Sequence, residues 1–266
     1  MIKTVNLVEV ARGDKKADLV LKNCQIVNVF ANTIEKGDIA ITDGIIVGIG
    51  EYHGEKEIDV KNKFVSPGFI DGHVHIESSM LTPSGFARIV MPKGTTTVII
   101  DPHEIGNVLG IEGVKYMIED SKKVPLEVHV MLPSCVPTTN YETAGAVINN
   151  KEILKMKNEE YVLGLGEVMD YPSVIEGEKD MHLKLDAMKD RMIDGHAPSV
   201  SGKALNAYTV TKIKTDHECT TVDELNEKVA RGMYIHLREG SATRNVTELS
   251  KGVTVYNHSR LLFCTD

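Results

Sequence analysis

From Gly68 onward, short apolar runs alternate with helix-patterned segments, and the runs repeatedly end on His, Asp or Glu. The runs are Gly68–His75, Thr96–Asp101, Glu127–Met131, Val162–Glu167, Met192–His196, Lys212–Glu218, Met233–Arg238 and Leu261–Asp266. Between them lie Gly106–Lys122, Ala144–Lys157, Gly202–Thr211, Val222–Arg231 and Ser241–Lys251, all patterned as helices. Eight strands separated by helices spell an α/β fold, a (β/α)8 TIM-type barrel or a doubly wound sheet, and the count of eight favours the barrel. In such a barrel the C-terminal strand ends share one face, where catalytic groups gather. His73, His75, Asp101 with His103 just beyond, Glu167, His196, His217 and Asp266 are therefore expected on one rim.

Residues 16 to about 67 read differently, as alternating β segments broken by turn residues: Ala17–Asn23, Cys24–Val29, Gly37–Gly44 and Ile45–Gly50. Asp43-Gly44 between two such runs is a hairpin signal. The expectation is a β-rich segment over residues 1–66, part of a small β-sandwich, and a barrel over 67–266, with the boundary near Ser66-Pro67-Gly68.

Composition excludes several function classes. Thirty basic against 38 acidic residues give a net charge of −8, and no basic block or aromatic-basic stripe appears, so neither a nucleic-acid nor a membrane partner is expected. Trp is absent and aromatics are 5%, which disfavours a stacking platform. Cys24, Cys135, Cys219 and Cys264 lie far apart without CxxC spacing and read as free reduced thiols. No apolar run reaches about 18 residues, and Met1–Asn6 lacks the build of a signal peptide. The cytoplasm is the default location.

The strand ends carry the chemistry. Side chains two apart on a strand point the same way, about 7 Å apart at the backbone, so His73 and His75 can reach one metal ion. The plain alternative is a pair of hydrogen-bonded structural histidines. Glu167 ends an apolar, glycine-bearing strand, where a carboxylate is costly unless paired or metal-bound; its plain alternative is a salt bridge to Arg238. His196 and His217 could serve a second ion, with Glu167 as the bridge and Asp266 as ligand and general base over a bound water. For Asp266 the plain alternative is a mere chain-end carboxylate. A nitrogen–oxygen donor set without thiolate suits Zn, Mn or Fe(II). His103, Glu104, Arg238 and Glu239 cap strands two and seven and could hydrogen-bond the edge of a polar heterocycle, or form rim salt bridges. His129 and His236 sit inside strands and read as satisfied structural histidines.

Pro67-Gly68-Phe69-Ile70-Asp71-Gly72-His73-Val74-His75 resembles the opening motif of the amidohydrolase superfamily, metal-dependent hydrolases with a (β/α)8 barrel and a flanking β-sandwich. The resemblance narrows to the adenine deaminase family through Gly72–Ser79, Asp101–Asn107, Gly164–Met169, Asp194–Pro198, Asp216–Glu218 and Leu237–Ser241. It runs the length of the chain. Thr215 stands before Asp216 where Ser is expected, a mild departure. The resemblance implies hydrolysis of adenine to hypoxanthine and ammonia in purine salvage, and a binuclear divalent centre, Mn or Fe ahead of Zn. His73, His75 and Asp266 would hold one ion, and His196 and His217 the other, with Glu167 bridging. Metal-activated water would attack C6, Asp266 would pass its proton to the leaving amine, and Glu104 or Glu239 would protonate a ring nitrogen. Homo-oligomerisation is left open.

The family continues well past strand eight, so the chain reads as truncated at Asp266, and the isolated chain is expected to be poorly soluble or inactive. Another amidohydrolase reaction, on a cyclic amide or an N-acyl group, and an inactive fragment are the competing readings.

Overall fold

Asp43 and Gly44 both adopt positive φ, 51° and 74°. That pair is the signature of a two-residue turn whose twist matches a hairpin. It joins β2 (Thr33–Thr42) to β3 (Ile45–Gly50), antiparallel, with Thr42 opposite Ile45. The computed structural model describes residues 3–139 and 141–266; Met1 and Ile2, part of the stretch read for targeting, lie outside them. The chain divides into two compact units, Met1–Pro67 and Gly68–Asp266.

The first unit is one five-stranded sheet with a helix, α1 (Lys3–Ala11), that the sequence reading did not anticipate. Its long strand β1 (Ala17–Asn28) pairs antiparallel with β2 and parallel with β4 (Gly54–Asp59) and β5 (Phe64–Val65). The expected break at Asn23-Cys24 is instead a bulge within β1, with Asn23 at φ 57°. Asp38 stabilises it by accepting the Asn23 N–H at 3.0 Å and an ion pair from Lys22 at 2.5 Å. Successive strand residues face opposite sides. Ile39 accordingly packs with Cys24 and Ile26, while Ala40 packs with Val10, Ala17 and Val20.

Among the described residues the second unit carries eight strands. Five form a parallel sheet in sequence order: β6 (Phe69–Val74), β7 (Thr95–Ile100), β8 (Glu127–Leu132), β9 (Val162–Val168) and β10 (Met192–Gly195). Three more, β11 (Thr215–Asp216), β12 (Tyr234–Arg238) and β13 (Leu261–Cys264), form a second parallel sheet. Backbone hydrogen bonds stitch both seams: Lys214 donates to Ile193 O at 3.0 Å, and Asp266 to His73 O at 2.9 Å. The fold is of the α/β TIM type.

Helices α2 (Pro83–Val90), α3 (His103–Leu109), α4 (Ile111–Ser121), α5 (Asn150–Met156) and α6 (Tyr171–Glu176) alternate with these strands. So do α7 (Lys179–Ala187), α8 (Gly202–Val210), α9 (Val222–Val229) and α10 (Val246–Leu249). Several boundaries differ from the sequence reading for local reasons. The segment read as Gly106–Lys122 starts at His103 and is broken at Gly110, φ 62°. The segment read from Ala144 begins only at Asn150, where Asn149 and Glu152 form a reciprocal capping box. The core joins strand residues such as Ile100, Val130, Leu165, Ile193 and Ile235 to helix residues such as Val114, Met117, Leu205 and Leu225. Each such side chain stabilises by about 1.5–3 kcal/mol when fully buried. In strand eight, by contrast, Leu262 and Phe263 are exposed. The four cysteines are free and buried. Among the described residues no helix is long and apolar enough to cross a membrane.

Candidate metal centre

The strand ends converge as the alternation requires. His73 lies one residue before the end of β6, His75 follows that strand, Glu167 lies in β9, and His196 and His217 directly follow β10 and β11. Asp266 lies two residues beyond β13 and hydrogen-bonds back to β6. His73 Nε2 and His75 Nε2 stand 3.1 Å apart, with Asp266 Oδ1 at 3.5 Å and 3.1 Å from them respectively. On the other side, His196 Nδ1 and His217 Nε2 stand 3.2 Å apart and face Glu167 Oε2 at 2.8 Å and 3.1 Å. Glu167 Oε1 points the other way, 3.3 Å from His75 Nε2. One carboxylate therefore faces both histidine pairs.

The ring orientations are fixed from behind. His73 Nδ1 donates to Asp194 Oδ2 at 2.9 Å, and His75 Nδ1 to the Asp101 carbonyl at 2.7 Å. With Nδ1 committed as donor, each neutral ring turns an unprotonated Nε2 inward. Two lone pairs facing each other beside a carboxylate repel unless a proton or a metal cation lies between them. Donors bound to one tetrahedral ion at 2.0–2.1 Å stand about 3.3 Å apart, which matches the spacings here. The residues fit a divalent ion in each half.

Charge follows the same pattern. Burial opposes a charged His73 ring, but the hydrogen bonds from Asp194 and Asp266 outweigh it and raise its pKa to about 10. His75 is raised in the same way, against burial, by Asp266, Glu104 and Glu167. Glu167 and Asp266 are held far below the usual carboxylate range: burial works against this, and the surrounding histidines overcome it. Each half of the site is built to hold positive charge.

Among the proposed substrate-contact residues, His103 sits closest in, its Nδ1 3.2 Å from Glu167 Oε1 and its ring edge-on to His75. It belongs geometrically with the His75–Glu167 group. Glu104 accepts from Ser78 Oγ at 2.8 Å and lies 3.5 Å from His75 Nδ1. Arg238 does not pair with Glu167; it grips Glu218 Oε1 at 2.5 Å and the Asp266 carboxylate. Glu239 is half-exposed on the following loop. A cavity of 580 Å³ opens over the cluster, lined by His75, Ser78, Phe86, Arg238, Glu239 and Asp266 among others. His103 and Glu104 line a neighbouring one of 290 Å³.

The sequence reading missed the supports. In the sequence Asp194 stands out only as part of the run that ends at His196; a carboxylate beside a glycine on an apolar strand is the available signal. Asp101, expected on the rim, is buried, and its carboxylate accepts the Glu167 N–H at 2.8 Å. His236 is buried but not satisfied: its Nδ1 has no partner among the described residues, and burial lowers its pKa to about 4. His129 is not in the core; it is half-exposed and meets Glu127 at 3.1 Å.

A profile of the amidohydrolase family matches residues 64–264, three quarters of the sequence and every strand of the second unit. The chain belongs to the amidohydrolase family. Members of this family use a divalent metal, consistent with the donor set described. Among curated amidohydrolases, the adenine deaminase of Clostridium acetobutylicum is 54% identical over 261 residues, 97% of this chain and 46% of that protein. The adenine deaminase of Geobacillus kaustophilus is 51% identical over 263 residues, 98% of this chain and 46% of that protein. The chain thus spans about half the length of the curated relatives it matches. Among solved structures, the atrazine chlorohydrolase of Arthrobacter aurescens complexed with zinc aligns with TM-score 0.63 at 12% identity, covering 93% of this chain and 71% of that one. At that identity the likeness concerns the amidohydrolase fold alone.

Proposed function

We propose that these residues form the core of a metal-dependent adenine deaminase, converting adenine and water to hypoxanthine and ammonia. The observation that carries this reading is Glu167, whose two oxygens face His75 on one side and His196 with His217 on the other; the names of relatives about half identical to this chain supply the substrate. His73, His75 and Asp266 would hold one divalent ion, and His196 and His217 the other, with Glu167 between. Manganese or iron is proposed ahead of zinc. When bound, the pair supplies Lewis-acid activation of water at neutral pH.

Asp266 lines the cavity, and its Oδ1 takes the proton of the attacking water, then returns it to the leaving amine. Arg238 holds the other Asp266 oxygen, which keeps Oδ1 aimed at the histidines. His103, Glu104, Arg238 and Glu239 are the candidates for contacts to the purine ring edge. We read residues 1–66 as part of a β-sandwich domain and 67–266 as the barrel, and the four free buried cysteines support a cytoplasmic location.

Purified protein carrying these residues is expected to release ammonia from adenine and to leave a hydantoin ring closed. A His73→Ala change should remove activity and the ion assigned to His73, His75 and Asp266. Hydantoin opening without ammonia release from adenine would overturn the reading in favour of a cyclic-amide hydrolase.

A further inference from the structure

Lys228 projects from α9 and is fully buried. An ammonium offers three N–H donors, and all three are used. They reach Ala197 O at 2.7 Å, Asp216 Oδ2 at 2.8 Å and Glu224 Oε1 at 2.7 Å. Ala197 follows His196 in sequence, and Asp216 precedes His217. The same two segments are tied a second time, because Asp216 Oδ1 accepts the Ala197 N–H at 2.8 Å. Glu224 extends the grip by accepting from Ser199 N at 2.9 Å and Thr220 N at 3.1 Å. A single nitrogen on one helix thus joins both loops that carry the His196–His217 pair.

We propose that Lys228 is a positioning residue for that half of the centre, holding His196 and His217 at the 3.2 Å separation that lets them serve one divalent ion. The proposal rests on the two-ion reading above. Fold stability alone does not account for the lysine, since replacing a buried ion pair by apolar groups of similar volume is often neutral or stabilising. What an apolar side chain cannot supply is three directed bonds to two loops. Removal leaves the Ala197 carbonyl and the Asp216 carboxylate without their shared donor and frees the loops to separate. The His73–His75–Asp266 half has no bond to Lys228 and is unaffected.

The test is divalent uptake by the full chain stripped with a chelator, measured by calorimetric titration with manganese alongside the melting temperature of the metal-free protein. Wild type is expected to take up two ions; fewer than two would overturn the two-ion reading, and Lys228's role with it. With two ions in the wild type, Lys228→Met is expected to weaken one ion about ten- to hundredfold, the usual cost of losing a group that orients a ligand. The other ion's affinity should not change, an asymmetry that general loosening would not produce. Lys228→Met that binds both ions like wild type overturns the proposal while leaving the two-ion reading intact. Should that variant fail to fold, Lys228→Met with Asp216→Asn removes the stranded charge and is read by the same criteria. Failure of both to fold also overturns the proposal, because it assigns Lys228 to packing.

Discussion

His73 Nδ1 donates to Asp194 Oδ2 over 2.9 Å, between residues 121 apart in sequence. The other oxygen of Asp194 accepts from Gly195 N at 3.0 Å and from the Thr215 hydroxyl. One buried carboxylate therefore links the ends of β6, β10 and β11 and decides which face of the His73 ring turns toward Asp266.

Asp194→Asn keeps the shape but removes the charge that favours the Nδ1–H tautomer. Divalent affinity is expected to fall about ten- to hundredfold, with far-ultraviolet circular dichroism unchanged. Competition against a chromophoric chelator measures it, and wild-type affinity in the variant would remove Asp194 from the support of the site.

Gly166 is required for a second support. A Cβ added there would lie 2.2 Å from Asp101 Oδ2, the oxygen that accepts the Glu167 N–H. Gly166→Ala must displace Asp101 or bend β9 beside Glu167, at a cost of about 1–3 kcal/mol. In a chain of this size that lowers the melting temperature by about 2–4 °C per kcal/mol. A thermal melt within about one degree of wild type would show that the strand absorbs the methyl group.

Much of this was legible because barrel strands advertise themselves twice, by apolar runs and by the polar residues that end them. His73, His75, Glu167, His196, His217 and Asp266 all lay on that pattern, and the geometry brings them within one cluster. Their supports were not legible, because Asp194, Lys228 and the carboxylate of Asp101 act across 12 to 121 residues of sequence through hydrogen bonds that no local period encodes. Asp38 in the first unit is similar: it is a buried carboxylate in a strand, and the bulge at Asn23, 15 residues away, turns a backbone N–H onto it. Helix α1 was not legible because it has only nine residues, and three of its apolar positions are valines, whose branched side chains lower helix propensity.

Acid should weaken the first unit through Asp38. Burial opposes its ionisation, but Lys22 and the Asn23 N–H prevail and hold its pKa below 3.8. A depressed folded pKa contributes stability that is full above the unfolded value near 3.8 and is lost as pH falls through the lower folded value. Lys22 mirrors this at the alkaline end: the Asp38 bond, working against burial, raises it above 10.5, and its share is lost as pH rises through that higher value. Denaturant melts of wild type and Asp38→Asn should differ most across the neutral range and converge as pH falls from 3.8 through the lower folded value. A difference that stays constant down to that pH would exclude an ionic contribution.

Metal removal should destabilise the second unit more than the loss of any one of these contacts. Without a cation, the inward nitrogens of His73 and His75 face each other at 3.1 Å, and those of His196 and His217 at 3.2 Å. An ion that binds only the folded state adds RT ln(1 + [L]/Kd), about 2.7 kcal/mol at a hundredfold excess over Kd. Titrating manganese into chelator-stripped protein should therefore raise the melting temperature progressively, with no plateau until solubility limits the ion. His217→Ala should reduce the rise without abolishing it, because the His73–His75–Asp266 half keeps its donors. A melting temperature indifferent to manganese in the wild type, with the fold intact, would mean that protons alone satisfy these rings, and the case for a metal centre would end there.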